Sequence, residues 1–142
     1  MGRIKVKVDT RNRSGKVKKF IRVDSNDPKN RQIRLTLEGS VIPVIKITPS
    51  STVLLSGKAG ETKSKDLSIS SGVGKPLMLR PLGFSLDGKV SYSLETVKEG
   101  KLYKISFQNN PDFKGNYDGY LRLGTNYAEK PEIRIRVSSR FK

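Results

Sequence analysis

Five arginines, Arg22, Arg34, Arg122, Arg134 and Arg136, are the residues of this chain best placed by type and spacing to do chemistry. Each sits between apolar residues that alternate with it, as in IRV (21–23), IRL (33–35), LRL (121–123) and IRIRV (133–137). On a strand that alternation turns each guanidinium away from the face its neighbours bury. Phe20 and Tyr120 share the outward parity of Arg22 and Arg122, so an aromatic ring accompanies a guanidinium twice. Basic residues interleaved with aromatics can hold single-stranded nucleic acid by phosphate contact and stacking. Outward Lys and Arg also keep strands soluble and discourage edge-to-edge pairing. No nucleic-acid motif accompanies the five, so the plainer role is favoured. Contact with a polyanion, nucleic acid or acidic polysaccharide, stands as the alternative.

Other constellations are weaker. Gly57 to Ser64 reads GKAGETKS, a near miss to a phosphate loop in which Thr62 replaces the second glycine. Such a loop must open a helix, whereas Leu67 and Ile69 continue with strand period, so a plain loop between strands is expected. Asp24, Asn26, Asp27 and Glu38 could be drawn as an oxygen cage for calcium, but the spacing is wrong and Lys29 and Arg31 repel a cation. Asx side chains in a tight turn explain the same residues. The chain has neither His nor Cys. That removes the commonest general base, the commonest zinc ligand, every thiolate site and any disulfide. Asp112, Asp118, Glu129 and Glu132 fall near loops or strand ends, and nothing in the sequence brings two of them together. The expectation is a protein that is not an enzyme and uses no cofactor or metal.

The positioning elements are strands. Ile4, Val6 and Val8 alternate with lysines; Ile33, Leu35 and Leu37 alternate with Arg34 and Thr36; Ile133, Ile135 and Val137 alternate with Glu132, Arg134 and Arg136. Leu67 with Ile69, Leu77 with Leu79, Tyr92 with Leu94, and Tyr103 with Ile105 and Phe107 extend the pattern. Period two with one apolar side indicates antiparallel sheet on a core. Asn26-Asp27-Pro28, Ser56-Gly57 and Asn109-Asn110-Pro111 supply the turns. No window carries a helical stripe, and no run approaches a membrane-spanning length or a signal-peptide core.

The chain of 142 residues is 34% hydrophobic, enough for a modest core but without Trp. Its net charge of +16 attracts polyanions, yet the excess is spread over both halves, +9 on residues 1–46 and +7 on residues 47–142.

An internal repeat organises these strands. Displaced by 100 positions, GKVKKFIRVDSNDPKNRQIRLTLEGSV (15–41) lies without a gap on GNYDGYLRLGTNYAEKPEIRIRVSSRF (115–141). Gly15, Arg22, Asn26, Ile33 and Arg34 fall on identical residues, and Ile21, Val23, Leu35 and Leu37 fall on aliphatic ones. A one-residue indel then brings Ile4, Val6 and Val8 onto Tyr103, Ile105 and Phe107. Long-period self-similarity indicates repeated domains. The second copy is preceded by chain enough for about five more strands, the first is not. Residues 47–142 therefore read as a complete immunoglobulin-like unit and residues 1–46 as the last three strands of another. Pro43 and Pro49 bracket a stiff connection.

The run IKVKVDTRNRSGKVKKFIRVDSNDPKNRQIRLTLEGSV resembles the C-terminal half of a bacterial domain-of-unknown-function family (number fifteen seventy-three), whose members resemble the immunoglobulin-like ASH domains. The resemblance lies in the glycine loop at Gly15, in Ser25-Asn26-Asp27-Pro28, and in Leu37-Glu38-Gly39-Ser40-Val41. The second unit matches through Gly115 and Thr125-Asn126 but has Tyr127-Ala128 in place of Asp27-Pro28. Family members usually precede this half with strands carrying a cysteine-containing turn, which has no counterpart here. The resemblance implies a sandwich fold and an extracytoplasmic bacterial protein in the periplasm or envelope, and implies no activity.

Together these readings predict an all-β chain, an immunoglobulin-like antiparallel β-sandwich with one complete unit and the C-terminal strands of a preceding one. Its expected role is structural or protein-binding, through sheet edges and loops. The apolar face formed by Ile21, Val23, Ile33, Leu35 and Leu37 needs cover. It is expected to pack on the second unit or to make a homodimer through residues 1–46.

Overall fold

A computed structural model describes residues 2–11 and 13–142. Among the described residues there are ten strands and no helix. The chain divides into two compact units, Met1–Pro43 and Val44–Lys142.

The second unit holds eight strands: β3 (Ile45–Thr48), β4 (Thr52–Gly57), β5 (Ser64–Ser71), β6 (Leu79–Phe84), β7 (Val90–Lys98), β8 (Leu102–Asn109), β9 (Gly115–Thr125) and β10 (Glu132–Phe141). They form two four-stranded sheets, β3-β5-β8-β7 and β4-β10-β9-β6. In chain order this is the ABED and CFG arrangement of an immunoglobulin-like sandwich, with β4 added beside β10. Every pair is antiparallel except β4 with β10, which run parallel from Thr52↔Arg136 to Gly57↔Phe141. The segment between Pro43 and Pro49, expected as a connection, carries β3: Ile45 and Lys46 pair with Ser71 and Ser70. The boundary therefore falls at 43/44 and not at 46/47. Pro49 has no N–H to continue the ladder. The chain leaves the β3 sheet there and joins the other as β4.

Alternation decides which face is buried. Leu67 and Ile69 on β5 and Ile105 and Phe107 on β8 meet Leu121 and Leu123 on β9 and Ile133, Ile135 and Val137 on β10 in one core. Each such side chain contributes about 1.5–3 kcal/mol by leaving water. Phe84, Tyr92 and Phe107 close one side of the core, with Phe84 and Tyr92 edge-on at 5.0 Å. Gly119 lets the β6–β7 connection approach β9, since a Cβ there would stand 2.5 Å from Leu86 Cγ.

The first unit contains β1 (Gly15–Asp24) and β2 (Gln32–Val41), paired antiparallel as a two-stranded sheet. Ile4, Val6 and Val8, expected on a strand, lie outside any ladder. Their counterparts on β8 are held between β5 and β7, and the two-stranded sheet here offers no such partners. Val6 and Val8 instead border open grooves over the hairpin, lined also by Lys19, Ile21 and Leu37.

The two hairpins share one register displaced by 100 positions. Gly15 pairs with Val41 and Gly115 with Phe141; Arg22 pairs with Arg34 and Arg122 with Arg134. Their turns repeat as well. Ser25 and Thr125 each donate N–H to the carbonyl six residues on, Arg31 at 2.8 Å and Pro131 at 2.9 Å. The Ser25 and Thr125 hydroxyls donate to the carbonyls of Asn30 and Lys130 and accept from the N–H groups of Asp27 and Tyr127. Gly15 and Gly115 both enter at positive φ, 79° and 99°. The repeat is thus one of backbone geometry as well as of residue pattern.

Candidate functional site

The outward faces of the two hairpins carry the five arginines. On β1 and β2, Arg22 stands directly opposite Arg34. On β9 and β10, Arg122 stands opposite Arg134, and Arg136 opposite Tyr120. Like charges directly opposite on neighbouring strands destabilise a sheet, so each arginine pair needs a local explanation.

In the second unit the explanation is Glu132. Its Oε1 accepts from Arg122 Nε at 2.7 Å and from Arg134 Nε at 3.3 Å, and its Oε2 accepts from Arg122 Nη2 at 3.3 Å. The bond from Arg122 holds the Glu132 carboxyl below the usual carboxylate range, with Arg134 adding to it, and Glu132 in turn raises Arg122. Asp118 does the same further along the strand. It accepts from Ser138 Oγ at 2.5 Å and from Arg140 Nη2 at 3.0 Å, with Arg136 Nη2 at 3.7 Å. The Ser138 hydroxyl first, then the Arg140 guanidinium, lowers the Asp118 carboxyl. Arg80 crosses the same face, where a Cβ on Gly124 would stand 2.9 Å from its Nε. A shallow basin of about 590 Å³ opens here, lined by Gly83, Phe84, Ser85, Tyr120, Arg122 and Arg134.

The first unit differs at the register position that bridges this arginine pair. Gln32 stands where the second unit has Glu132. Its Nε2 donates to Asp24 Oδ1 at 3.1 Å, and Arg22 Nη2 lies 3.4 Å from Asp24 Oδ2. Arg34 makes no ion pair among the described residues; its guanidinium lies over the Phe20 ring, 3.9 Å from the centroid. Phe20 and Tyr120 are 52% and 47% exposed, so both rings stand at the surface as their parity predicted. Among the described residues a guanidinium lies over Phe20 and none over Tyr120.

The remaining candidates resolve locally. Gly57 to Ser64 joins β4 to β5, and Glu61 Oε2 accepts the Lys58 N–H at 3.1 Å inside a tight turn. Asp27 Oδ1 accepts the Lys29 N–H at 2.9 Å, an Asx turn. Glu38 pairs with Lys18 at 3.2 Å, at the far end of the hairpin from Asp24, about 20 Å along the strand. Those four oxygen donors do not converge. Glu129 faces Lys75 at 3.9 Å, while Asp118 and Glu132 are engaged by arginine.

Sequence reasoning missed Glu132 as a bridge, and Asp118, Arg140 and Arg80 as members of this face. Arg140 was within reach, because it continues the parity of Arg134 and Arg136. Arg80 was not, because the register of β6 shifts between Pro81 and Gly83.

No family model matches the chain, and no curated protein does. Among solved structures it is similar to domains 4 and 5 of the S-layer protein SbsC, at 13% identity and a TM-score of 0.42. That likeness covers 80% of this chain and spans 61% of the other.

Proposed function

We propose that the chain is a non-catalytic structural and interaction module of a larger bacterial, envelope-associated protein, holding partners through its sheet edges and loops. One observation carries the reading: a two-sheet sandwich is accompanied by a second hairpin of the same register, whose two edges are both unpaired among the described residues. Open edges present unpaired N–H and C=O groups, the chemistry by which sheets accept a further strand. The envelope assignment draws on the resemblance of residues 4–41 to the bacterial family of unknown function. Cell fractionation of the native protein tests it, and recovery in the cytosol alone overturns it.

The module reading requires residues 44–142 to fold alone. A dispersed amide spectrum and a cooperative urea transition for that fragment are expected; a collapsed spectrum overturns the reading. Half-exposed Ile33, Leu35 and Leu37 favour a homodimer through residues 1–46. Sedimentation over a concentration series tests this, and a strict monomer removes it.

Polyanion binding is the second reading, favoured by five arginines against two carboxylates on the outward face of β6, β9 and β10. Its signature is affinity for heparin or oligonucleotide that falls steeply with salt. No retention at low ionic strength removes it.

A further inference from the structure

We infer that β2 of the first unit is the docking edge for an acidic, extended polypeptide segment, which adds as a third strand and seats a carboxylate on Arg22 and Arg34. The inference rests on the module reading above and names its partner chemistry. Two independent observations converge on it.

The first is an edge. In the second unit β10 is flanked by β9 along its length and by β4 on its other side from Arg136 to Phe141. Its counterpart β2 has β1 on one side only, in a two-stranded sheet. The sister hairpin therefore displays what such an edge accepts: an extended backbone running alongside, as β4 does from Thr52 to Gly57. Ladder hydrogen bonds require a peptide backbone, which selects a polypeptide over a polysaccharide or a nucleic acid.

The second is a vacant charge position. Arg122 and Arg134 share the Glu132 carboxylate, whereas Arg22 and Arg34 share none. With Gln32 in the equivalent place, Arg34 is left stacked on Phe20. Asp24 reaches Arg22 alone and divides its oxygens with Gln32. Stacking fixes the plane of the Arg34 guanidinium before any ligand arrives, which lowers the ordering cost of pairing it. It also places a cation over the Phe20 ring, which a nucleic-acid base stacking on that face would have to displace. What the second unit supplies internally, a side-chain carboxylate, the first unit is built to take from outside.

One exposed ion pair is weak, so the ladder must add to it. A segment with Glu at alternate positions satisfies both demands, because alternate side chains of an added strand share one face.

The probe is a short fluorescein-labelled peptide with Glu at alternate positions and Thr or Val between, titrated into the full chain at low ionic strength and read by anisotropy. Gln32→Glu, which supplies the missing carboxylate internally, is expected to weaken binding about fivefold, the upper range for an exposed pair. Arg34→Gln is expected to do the same. The peptide N-methylated at alternate residues, unable to form a ladder, is expected not to bind. Glu132→Gln is expected to leave binding unchanged, because it alters the second unit and not the arginine seat on β1 and β2. Unchanged affinity in both Gln32→Glu and Arg34→Gln overturns the arginine seat. Equal binding of the N-methylated peptide or of polygalacturonate overturns strand addition by a polypeptide. Folding of residues 44–142 alone is unaffected by either result, so the module reading stands or falls separately.

Discussion

Glu132 and Arg122 form a two-point carboxylate–guanidinium pair across the outward face of β9 and β10, and Arg134 adds a third bond to the same carboxylate. Because Arg122 depresses the Glu132 carboxyl in the folded chain, the unfolded chain binds its proton at higher pH than the folded one. The stabilisation is therefore complete above the ordinary glutamate value and disappears as pH falls through the lowered one. Glu132→Gln should lower the melting temperature at neutral pH and make no difference in strong acid. Thermal melts of both forms across the acid range check this. A difference that persists in strong acid would mean the side chain acts through packing.

Leu35 and Ile135 occupy the same register position in the two hairpins yet differ in exposure, 41% against 0%. Truncation at a buried aliphatic costs about 2–5 kcal/mol, through lost transfer and an unfilled cavity. At an exposed position the effect is within about 0.5 kcal/mol. Urea denaturation of Ile135→Ala and Leu35→Ala, at protein concentrations low enough to keep the chain monomeric, should show that contrast. A loss at Leu35 that grows as large as that at Ile135 when the concentration is raised would mean that the face is covered in solution, as a homodimer requires.

Legibility in the sequence followed locality. β2, β8 and β10 were readable because Ile33 to Leu37, Tyr103 to Phe107 and Ile133 to Val137 alternate cleanly between apolar and polar residues. The hairpin repeat was readable because strand lengths and turn residues recur at fixed spacing. Three features depend on partners remote in sequence and were not readable. β3 is four residues long between two prolines and exists through β5; β4 pairs parallel with a strand some eighty positions on; residues 4–8 have the alternation of a strand but no ladder to join. The site divides the same way. Parity placed the arginines outward, but the bridging role of Glu132, and its loss at Gln32, emerge only once the register sets residue 132 diagonally from 122. Lys19, at the core-facing parity where the second unit has Gly119, shows that the two hairpins are not covered alike.

Asn109 closes the end of the sandwich over the 58–63 loop. Its Oδ1 accepts the Lys63 N–H at 2.6 Å, and its Nδ2 donates to the Glu61 carbonyl at 2.9 Å, with the residue buried. Removing the amide leaves both backbone groups without their partner, at about 1–3 kcal/mol for a buried group. Asn109→Ala should lower the urea midpoint accordingly and speed amide exchange at Lys63. Asn109→Asp keeps the acceptor but loses the donor, so it should retain protection at Lys63 while still losing stability.

Ser139 presents the opposite case. It is fully buried on the inner face of β10, between Val137 and Phe141, and its hydroxyl has no hydrogen-bond partner among the described residues. It pairs across the sheet with Tyr117, whose hydroxyl is likewise buried and unpartnered. A buried hydroxyl without a partner costs about 1–3 kcal/mol relative to its hydrated state, and replacing it by a methyl hydrogen removes that cost for a small loss of packing. Ser139→Ala is therefore expected to leave stability unchanged or raise it by up to about 1 kcal/mol, read from the urea midpoint at constant slope. A loss of more than about 1 kcal/mol would show that the hydroxyl is satisfied in solution by an internal water bridging toward Tyr117. Tyr117→Phe separates the two cases: it should match Ser139→Ala if both hydroxyls are unpartnered, and should destabilise if they share that water.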